Sequence, residues 1–442
     1  MKCTLHNLGC KVNSYETEAM RQLLEAAGYE IVEFGSETAD VYIINTCTVT
    51  NIADRKSRQM LHKAKKDNPN AVVVAAGCYV QEAGEKLLAD EAVDIIVGNN
   101  RKGQIVEVLE EYFKGRNIDN SFIDINKTRE YENLEINASP AHTRAYIKIQ
   151  DGCNQFCTYC IIPFARGRVR SRKIESVVSE IEKIANEDIK EVVITGIHVA
   201  SYGKDFDNEN TSKKIRLIDL LEAINKIDGI DRIRLSSLEP TIVDEEFATR
   251  LSKLDKICDH FHLSLQSGCD ETLKRMNRKY TTQIYRDAVA TLRKYYPEAS
   301  FTTDVIVGFP GETDEEFAKT YEFLKEIDFY RLHVFKYSPR RGTVAEKMPN
   351  QIDGNKKEER SNKLIELSNS MENKHNQSYI GKTVKVLFEE FEDGFFKGHT
   401  TNYMMVKVAG EEEQSDKFVN KILDVKIREN NDATRELIGI LS

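Results

Sequence analysis

Short apolar segments alternate with amphipathic helical stretches twice along the chain, and that alternation admits few folds. In residues 1–118 the apolar segments are 3–8, 41–45, 71–76 and 95–97, with helical periodicity over 15–27, 52–66 and 82–89. Strands joined by helices run parallel, so this part is expected to form a doubly wound parallel α/β sheet. Residues 119–142 mix Asn, Asp, Glu, Ser and Pro with weak periodicity and read as a linker. A second series follows, with strands at 145–150, 191–195, 232–236, 260–265, 301–307 and 331–337 and helices such as 174–186, 217–227 and 314–326. Six such units predict a partial (βα)6 barrel over 143–377. Over 378–442 helical periodicity gives way to short strands at 383–389, 395–400, 404–408 and 422–428, which fit a small five-stranded antiparallel barrel. Three parts of this kind suit 442 residues.

Nine cysteines punctuate this frame. Cys153, Cys157 and Cys160 stand in DGCNQFCTYC, directly after the strand at 145–150, which gathers three thiols on one loop. Three thiolates can hold three irons of a cubane cluster and leave the fourth open to a small ligand. Zinc is the rival, but structural zinc wants four ligands, and the chain has no second CxxC and no HxxxH. Cys10, Cys47 and Cys78, in LGC, NTC and AGC, each fall just past a strand of the first series. The ligand crevice of an open α/β sheet lies beyond those carboxyl ends, so the three would converge there. The alternative is three unrelated buried thiols. In the second series Thr195, Gly196, Ser236, Glu239, Gln266, Gly268 and the run VGFPGET at 307–313 occupy strand ends, where barrels place ligand contacts. The glycines and Pro310 also serve simply as turn residues.

With Lys+Arg 63 against Asp+Glu 72, the net charge of −9 argues against broad nucleic-acid binding. Basic patches remain: Arg55, Lys56, Arg58, Lys63, Lys65 and Lys66, and the alternating Arg166, Arg168, Arg170 and Arg172. Taken alone, each run reads more simply as a solvated face. In the C-terminal part Phe388, Phe391, Phe395, Phe396, Tyr403, His399, Lys397 and Lys407 offer stacking and phosphate contacts, although so small a barrel needs most of its aromatics as core. MKCTLHNLGC has no signal pattern and no apolar run approaches a membrane span, so a cytoplasmic protein with reduced thiols is expected. Cys3 and Cys258 read as buried, and Cys269 as a possible neighbour of the rim.

CNQFCTYC, with Tyr159 before its last cysteine, resembles the signature of the radical S-adenosylmethionine (SAM) enzymes. Joined to the three strand-end cysteines and the small C-terminal barrel, it makes nearly the whole chain similar to the methylthiotransferases. LGCKVN at 8–13, DGCNQFCTYCIIPFARGR at 151–168 and HLSLQSGCDETLKRMNRKY at 262–280 most resemble the branch that methylthiolates threonylcarbamoyladenosine next to the anticodon of tRNA. The isopentenyladenosine branch usually has Gln-Met-Asn in the first motif, and the ribosomal-protein branch differs in the Leu-Gln-Ser-Gly region. Phe164 departs from the Tyr often found at its place.

The resemblance implies an auxiliary-cluster domain over 1–118, a radical SAM core over 143–377 and an OB-like TRAM domain over 378–442. It implies one 4Fe-4S cluster on Cys153, Cys157 and Cys160 and a second on Cys10, Cys47 and Cys78. Thr195 and Gly196 stand where the family's SAM-methionine strand ends. Ser236, Glu239, Gln266 and the 305–311 segment, including Val305 and Gly308, match strand ends that line the SAM pocket, while His198 either faces substrate or is structural. Carbon 2 of adenine carries an unactivated C–H bond beyond side-chain acids and bases, so a cofactor radical must act on it. One SAM would be cleaved to a deoxyadenosyl radical with an electron from a low-potential donor such as flavodoxin or ferredoxin, and a second would methylate sulfur on the auxiliary cluster. The tRNA anticodon stem-loop, already single-stranded at its tip, would present the base, with the 166–172 run and the TRAM barrel on its phosphates. The other readings are the same chemistry on isopentenyladenosine tRNA or a ribosomal-protein aspartate, and a noncatalytic RNA-binding iron–sulfur protein.

Overall fold

The computed structural model describes residues 1–116, 123–137, 143–206 and 214–442. Its first five strands, β1 (Lys2–Asn7), β2 (Glu30–Ile31), β3 (Val41–Thr46), β4 (Val72–Gly77) and β5 (Ile95–Val97), are parallel and lie in the order β2-β1-β3-β4-β5. Every residue of β3 and β4 is buried, as expected for strands covered on both faces. Alternate side chains feed two cores: Tyr42, Ile44, Val73 and Ala75 meet Leu61 and Ala64 of the helix Asn51–Asp67, while Val41, Ile43, Val72 and Val74 meet Met20 and Leu24 of the helix Lys11–Ala26. The helix read at 82–89 is instead a short α-helix, Cys78–Ala83, running into a 3-10 turn, Gly84–Ala89.

All six strands of the second series are present: β6 (Arg144–Asp151), β8 (Glu191–Gly196), β9 (Arg232–Leu235), β10 (His260–His262), β11 (Ser300–Val307) and β12 (Arg331–Lys336). They form two parallel sheets, β6-β8-β9 and β10-β11-β12, joined by the bridges Ile233 to Ile257 and Leu238 to Leu263. The result is an open six-strand arc with helices outside, and a two-residue strand β7 (Arg170–Ser171) runs antiparallel on the free edge of β6. A 24-residue helix, Gly354–Gln377, lies along β12. Its sequence is polar nearly all round; Leu364 and Met371 enter the main core, and the Leu332 amide donates to Ser368 Oγ at 2.9 Å.

β13 (Thr383–Glu392), β14 (Phe395–His399), β15 (Met405–Ala409), β16 (Ile422–Asn431) and β17 (Glu436–Leu441) close the C-terminal barrel. Phe388 and Phe396 are its core, with Phe396 stacked on Phe418 at 4.1 Å. Tyr403 and His399, offered above as RNA contacts, serve instead as the joint with the strand arc. Tyr403 stacks between His260 (4.9 Å) and His399 (4.6 Å), with the Arg234 guanidinium 4.7 Å over its ring. Arg232 and Arg234 donate to backbone carbonyls of His399, Thr400 and Thr401, satisfying loop groups that the docking buries. Lys397 and Lys407 are likewise committed, to Glu392 and Glu436.

The ends of the expected linker, 119–122 and 138–142, lie outside the described residues. Its middle, 123–137, has no helix or strand yet buries Ile125, Leu134 and Ile136. Tyr15 donates to the Leu134 carbonyl at 2.5 Å and the Ile136 amide to Glu180 at 2.6 Å, so this stretch is a seam between the two α/β parts.

Candidate functional site

Strand register brings the first three cysteines together. Thr46 pairs with Gly77, so Cys47 and Cys78 leave neighbouring strand ends at the same level, and the Leu8 amide binds the Asn45 carbonyl at 3.0 Å to bring the Cys10 turn alongside. Gly9, at φ +108°, is the point of closest approach: a Cβ there would fall 2.9 Å from Cys47 Sγ. The sheet reverses its winding between β1 and β3, which puts Cys10 and Cys47 at the crevice where open α/β sheets bind ligands. Cys10 caps the helix Lys11–Ala26, whose amino end favours negative charge. It lies in a recess that solvent reaches although protein surrounds it. Cys78 Sγ accepts from Arg166 Nε at 3.1 Å and from Asn99 Nδ2 at 3.6 Å.

The second trio sits on the loop after β6. Gly152 (φ +71°) makes the turn, and a Cβ there would lie 1.9 Å from the Arg168 carbonyl oxygen, so no other residue fits. The loop is then pinned from both sides. The Cys153 amide donates to Gly167 O at 3.0 Å, the Thr158 amide to Met276 O at 3.0 Å and Thr158 Oγ1 to Arg275 O at 2.9 Å. Cys157 Sγ accepts from an Arg278 guanidinium N–H at 3.2 Å. Each trio thus has one thiol within hydrogen-bond reach of an arginine.

Burial pushes Cys47 and Cys153 up to about 11 and Cys160 to about 12, and raises Cys10. Such thiols become thiolates only with a cation to hold them. Among the described residues no three His, Cys, Asp or Glu side chains converge as they would on a single metal ion. An iron–sulfur cube takes one thiolate on each of three separate corners, and sulfur-only donors with adjacent guanidiniums fit such a cluster.

Of the strand-end residues, Glu239 is the hub. It is nearly buried and accepts from Arg278 (2.9 Å), Gln155 Nε2 (3.0 Å) and Thr241 Oγ1 (3.2 Å), and lies 3.1 Å from His198 Nε2. Its carboxyl is lowered against the effect of burial by His198 and Arg278. His198 Nδ1 is 2.7 Å from Ser201 Oγ and its amide donates to Gln150 Oε1, so every polar atom of this histidine is engaged, the structural alternative. Thr195 and Gly196 end β8; Ser236 follows β9, its Oγ buried with no partner among the described residues. Gln266 (φ +69°) bridges Val305 through backbone bonds, and the Gly308 amide donates to Glu312 at 2.6 Å.

Three expectations are corrected. Val305 is fully buried in the main core; period-two alternation turns Asp304 and Ile306 the other way, so the Val305 side chain cannot reach a ligand in the arc. Arg166, Arg170 and Arg172 are 0%, 0% and 1% exposed and are no phosphate patch. Arg166 binds Glu16, Asp151 and Asn13 Oδ1 (2.6 Å), and Arg172 binds Glu180. Only Arg168 of that run reaches solvent, lying 4.5 Å over the Phe156 ring. Cys269 is buried and donates to Glu271 at 2.9 Å, away from the rim. Arg278 escaped the strand-end reading because it follows a helix, although it stands in the third motif. Arg278→Leu is expected to slow SAM cleavage about 10–100-fold while most iron is retained, as measured by deoxyadenosine formation and iron content.

Residues 147–324 match the Radical SAM superfamily and residues 2–98 the uncharacterized protein family UPF0004. The chain is 44% identical over 427 residues to the threonylcarbamoyladenosine tRNA methylthiotransferase MtaB of Bacillus subtilis (strain 168), covering 96% of this chain and 92% of that protein. It is 36% identical over 423 residues to the tRNA-2-methylthio-N(6)-dimethylallyladenosine synthase of Clostridium botulinum (strain Loch Maree / Type A3), covering 93% and 92%. In fold it resembles the radical SAM methyltransferase TsrM from Kitasatospora setae, with TM-score 0.58 and 16% identity over 76% of this chain and 72% of that one.

Proposed function

The chain belongs to the radical SAM methylthiotransferases, and on that premise we propose that it adds a methylthio group to carbon 2 of threonylcarbamoyladenosine next to the anticodon of tRNA. The observation that carries this reading is the pair of three-thiol sites in two domains, each backed by its own arginine. When bound, the two 4Fe-4S clusters and SAM supply radical chemistry at an unactivated C–H bond and the sulfur that replaces the hydrogen. Cys153, Cys157 and Cys160 would hold one cluster and Cys10, Cys47 and Cys78 the other. Arg278 ties Cys157 to Glu239, so a ligand held at the Glu239 end keeps a fixed place beside the thiol loop.

Exposed Phe156 and Phe164, edge to face at 6.0 Å beside the thiol loop, give an unstacked anticodon base a surface to stack on. Cations for the phosphates are Arg129, Arg168, Lys173 and Lys204 around a cleft of about 970 Å³, together with exposed Arg55, Lys56 and Lys66. The electron would come from a low-potential donor such as flavodoxin or ferredoxin. Among the described residues no helix is long and apolar enough to cross a membrane. The test is nucleoside mass spectrometry of tRNA from a strain lacking the protein: the methylthio form should vanish while threonylcarbamoyladenosine accumulates. Retention of the methylthio form, or loss of methylthio-isopentenyladenosine in its stead, would overturn the proposal.

A further inference from the structure

Inside the strand arc, between the Cys10 turn and the C-terminal barrel, lies a cavity of about 300 Å³. Lys11, the residue after Cys10, lines it and makes no hydrogen bond or ion pair among the described residues. Two buried polar atoms of lining residues also lack partners among the described residues: Ser236 Oγ and His260 Nδ1. A buried polar group without a partner is costly, and two of them belong to residues that line this one space. The charges define it further. Arg331 is already spent on Glu372, and Asp304, the one carboxylate among the lining residues, stands 3.4 Å from His262 Nε2. Lys11 is left without a bonded partner among the described residues, an exposed ammonium whose charged surroundings are Arg234, Arg144, Glu191 and Asp304.

We propose that this cavity is the subsite for the amino-acid tail of the modified base, with the tail's carboxylate on Lys11 Nζ and its polar atoms on Ser236 and His260. The inference rests on the threonylcarbamoyladenosine reading and adds the groups that select that base. Its position accords with the role: Lys11 adjoins one candidate cluster ligand, and Ser236 follows a strand of the arc that carries the other trio, so a tail here leaves the purine between them. An apolar dimethylallyl tail would instead leave Lys11 and the buried polar atoms of Ser236 and His260 without partners, which is how a site built for hydrogen bonding rejects an apolar substrate.

The test uses the reconstituted full chain and synthetic anticodon stem-loops carrying threonylcarbamoyladenosine either as the free acid or as its neutral methyl ester. Binding is read by fluorescence anisotropy, a measure independent of turnover. The wild-type chain should bind the acid about 10–100-fold more tightly than the ester, the range expected of a hydrogen bond to a charged group. Lys11→Gln should bind both alike, near the wild-type affinity for the ester, and Lys11→Arg should restore the preference. Iron content should be the same in all three. Equal binding of acid and ester by the wild-type chain, an undiminished preference in K11Q, or failure of K11R to restore it would overturn the inference. If the threonylcarbamoyl stem-loop is methylthiolated but acid and ester bind alike, the subsite alone falls. If only an isopentenyl stem-loop is methylthiolated, the functional reading falls with it.

Discussion

Cys153→Ala is expected to abolish deoxyadenosine formation from SAM under anaerobic reducing conditions, whereas Cys47→Ala should keep that cleavage and lose methylthio transfer. The two trios hang on different sheets. Cys153, Cys157 and Cys160 are placed by β6 and the 275–278 segment, while Cys47 is placed by β3 and by Ser57, whose Oγ accepts from the Cys47 amide at 3.2 Å and donates to its carbonyl at 3.0 Å. Removing one thiol near β3 leaves the β6 loop with all its backbone bonds, so the damage should stay local. Each variant should therefore lose about half of the wild-type iron, in line with three-thiolate sites that bind independently. Transfer by the Cys47 variant at the wild-type rate would show that the N-terminal thiols have no part in the reaction. Loss of all iron from either variant would mean that the trios do not form independently.

Where residues face was legible in the sequence wherever the deciding partner lies close along the chain. Parallel strands announce themselves by apolar runs, and a cysteine one to three residues past such a run must lie at the sheet's carboxyl edge; Cys10, Cys47 and Cys78 were readable for that reason. Parity within a strand decides Val305 against Asp304, and a strand-end argument that ignored parity could not separate them. The helix Gly354–Gln377 was missed because only a narrow stripe through Leu364 and Met371 is apolar, too little for a periodic signal. The roles of Arg166 and Arg172 were illegible for a different reason. Their partners, Glu16 and Glu180, stand on helices, and the Glu16 helix precedes Arg166 by 150 residues. An alternating run of arginines looks the same in sequence whether its counter-charges are phosphates or buried carboxylates.

That ambiguity gives the second large effect. Glu16 is buried among Arg166 (2.8 Å), Lys102 (2.5 Å) and Lys148 (2.6 Å), and Asp151 adds its carboxylate 2.7 Å from Lys148. Against the burial that would raise it, Arg166, Lys102 and Lys148 hold Glu16 well below the usual carboxylate range, so it is ionised and needs its cations. Without Arg166 the carboxylate keeps Lys102 and Lys148, so the loss is that of the guanidinium's hydrogen bonds to charged groups, at a cost of about 1.5–3 kcal/mol. Arg166→Met should cost that much in urea denaturation of the iron-loaded chain. Iron should also fall, because Cys78 Sγ and Asn13 Oδ1 lose their donor. The salt dependence of tRNA binding should not change, since Arg166 is out of reach of any phosphate. Arg168→Ala should do the reverse: stability within about 0.5 kcal/mol of wild type, as for an ordinary surface change, and a shallower slope of log affinity against log salt, by about 0.7 when one single-strand phosphate is no longer neutralised. If Arg166→Met flattened the slope at unchanged stability, the guanidinium would face RNA, and the buried network joining the N-terminal sheet to the thiol loop would be wrong.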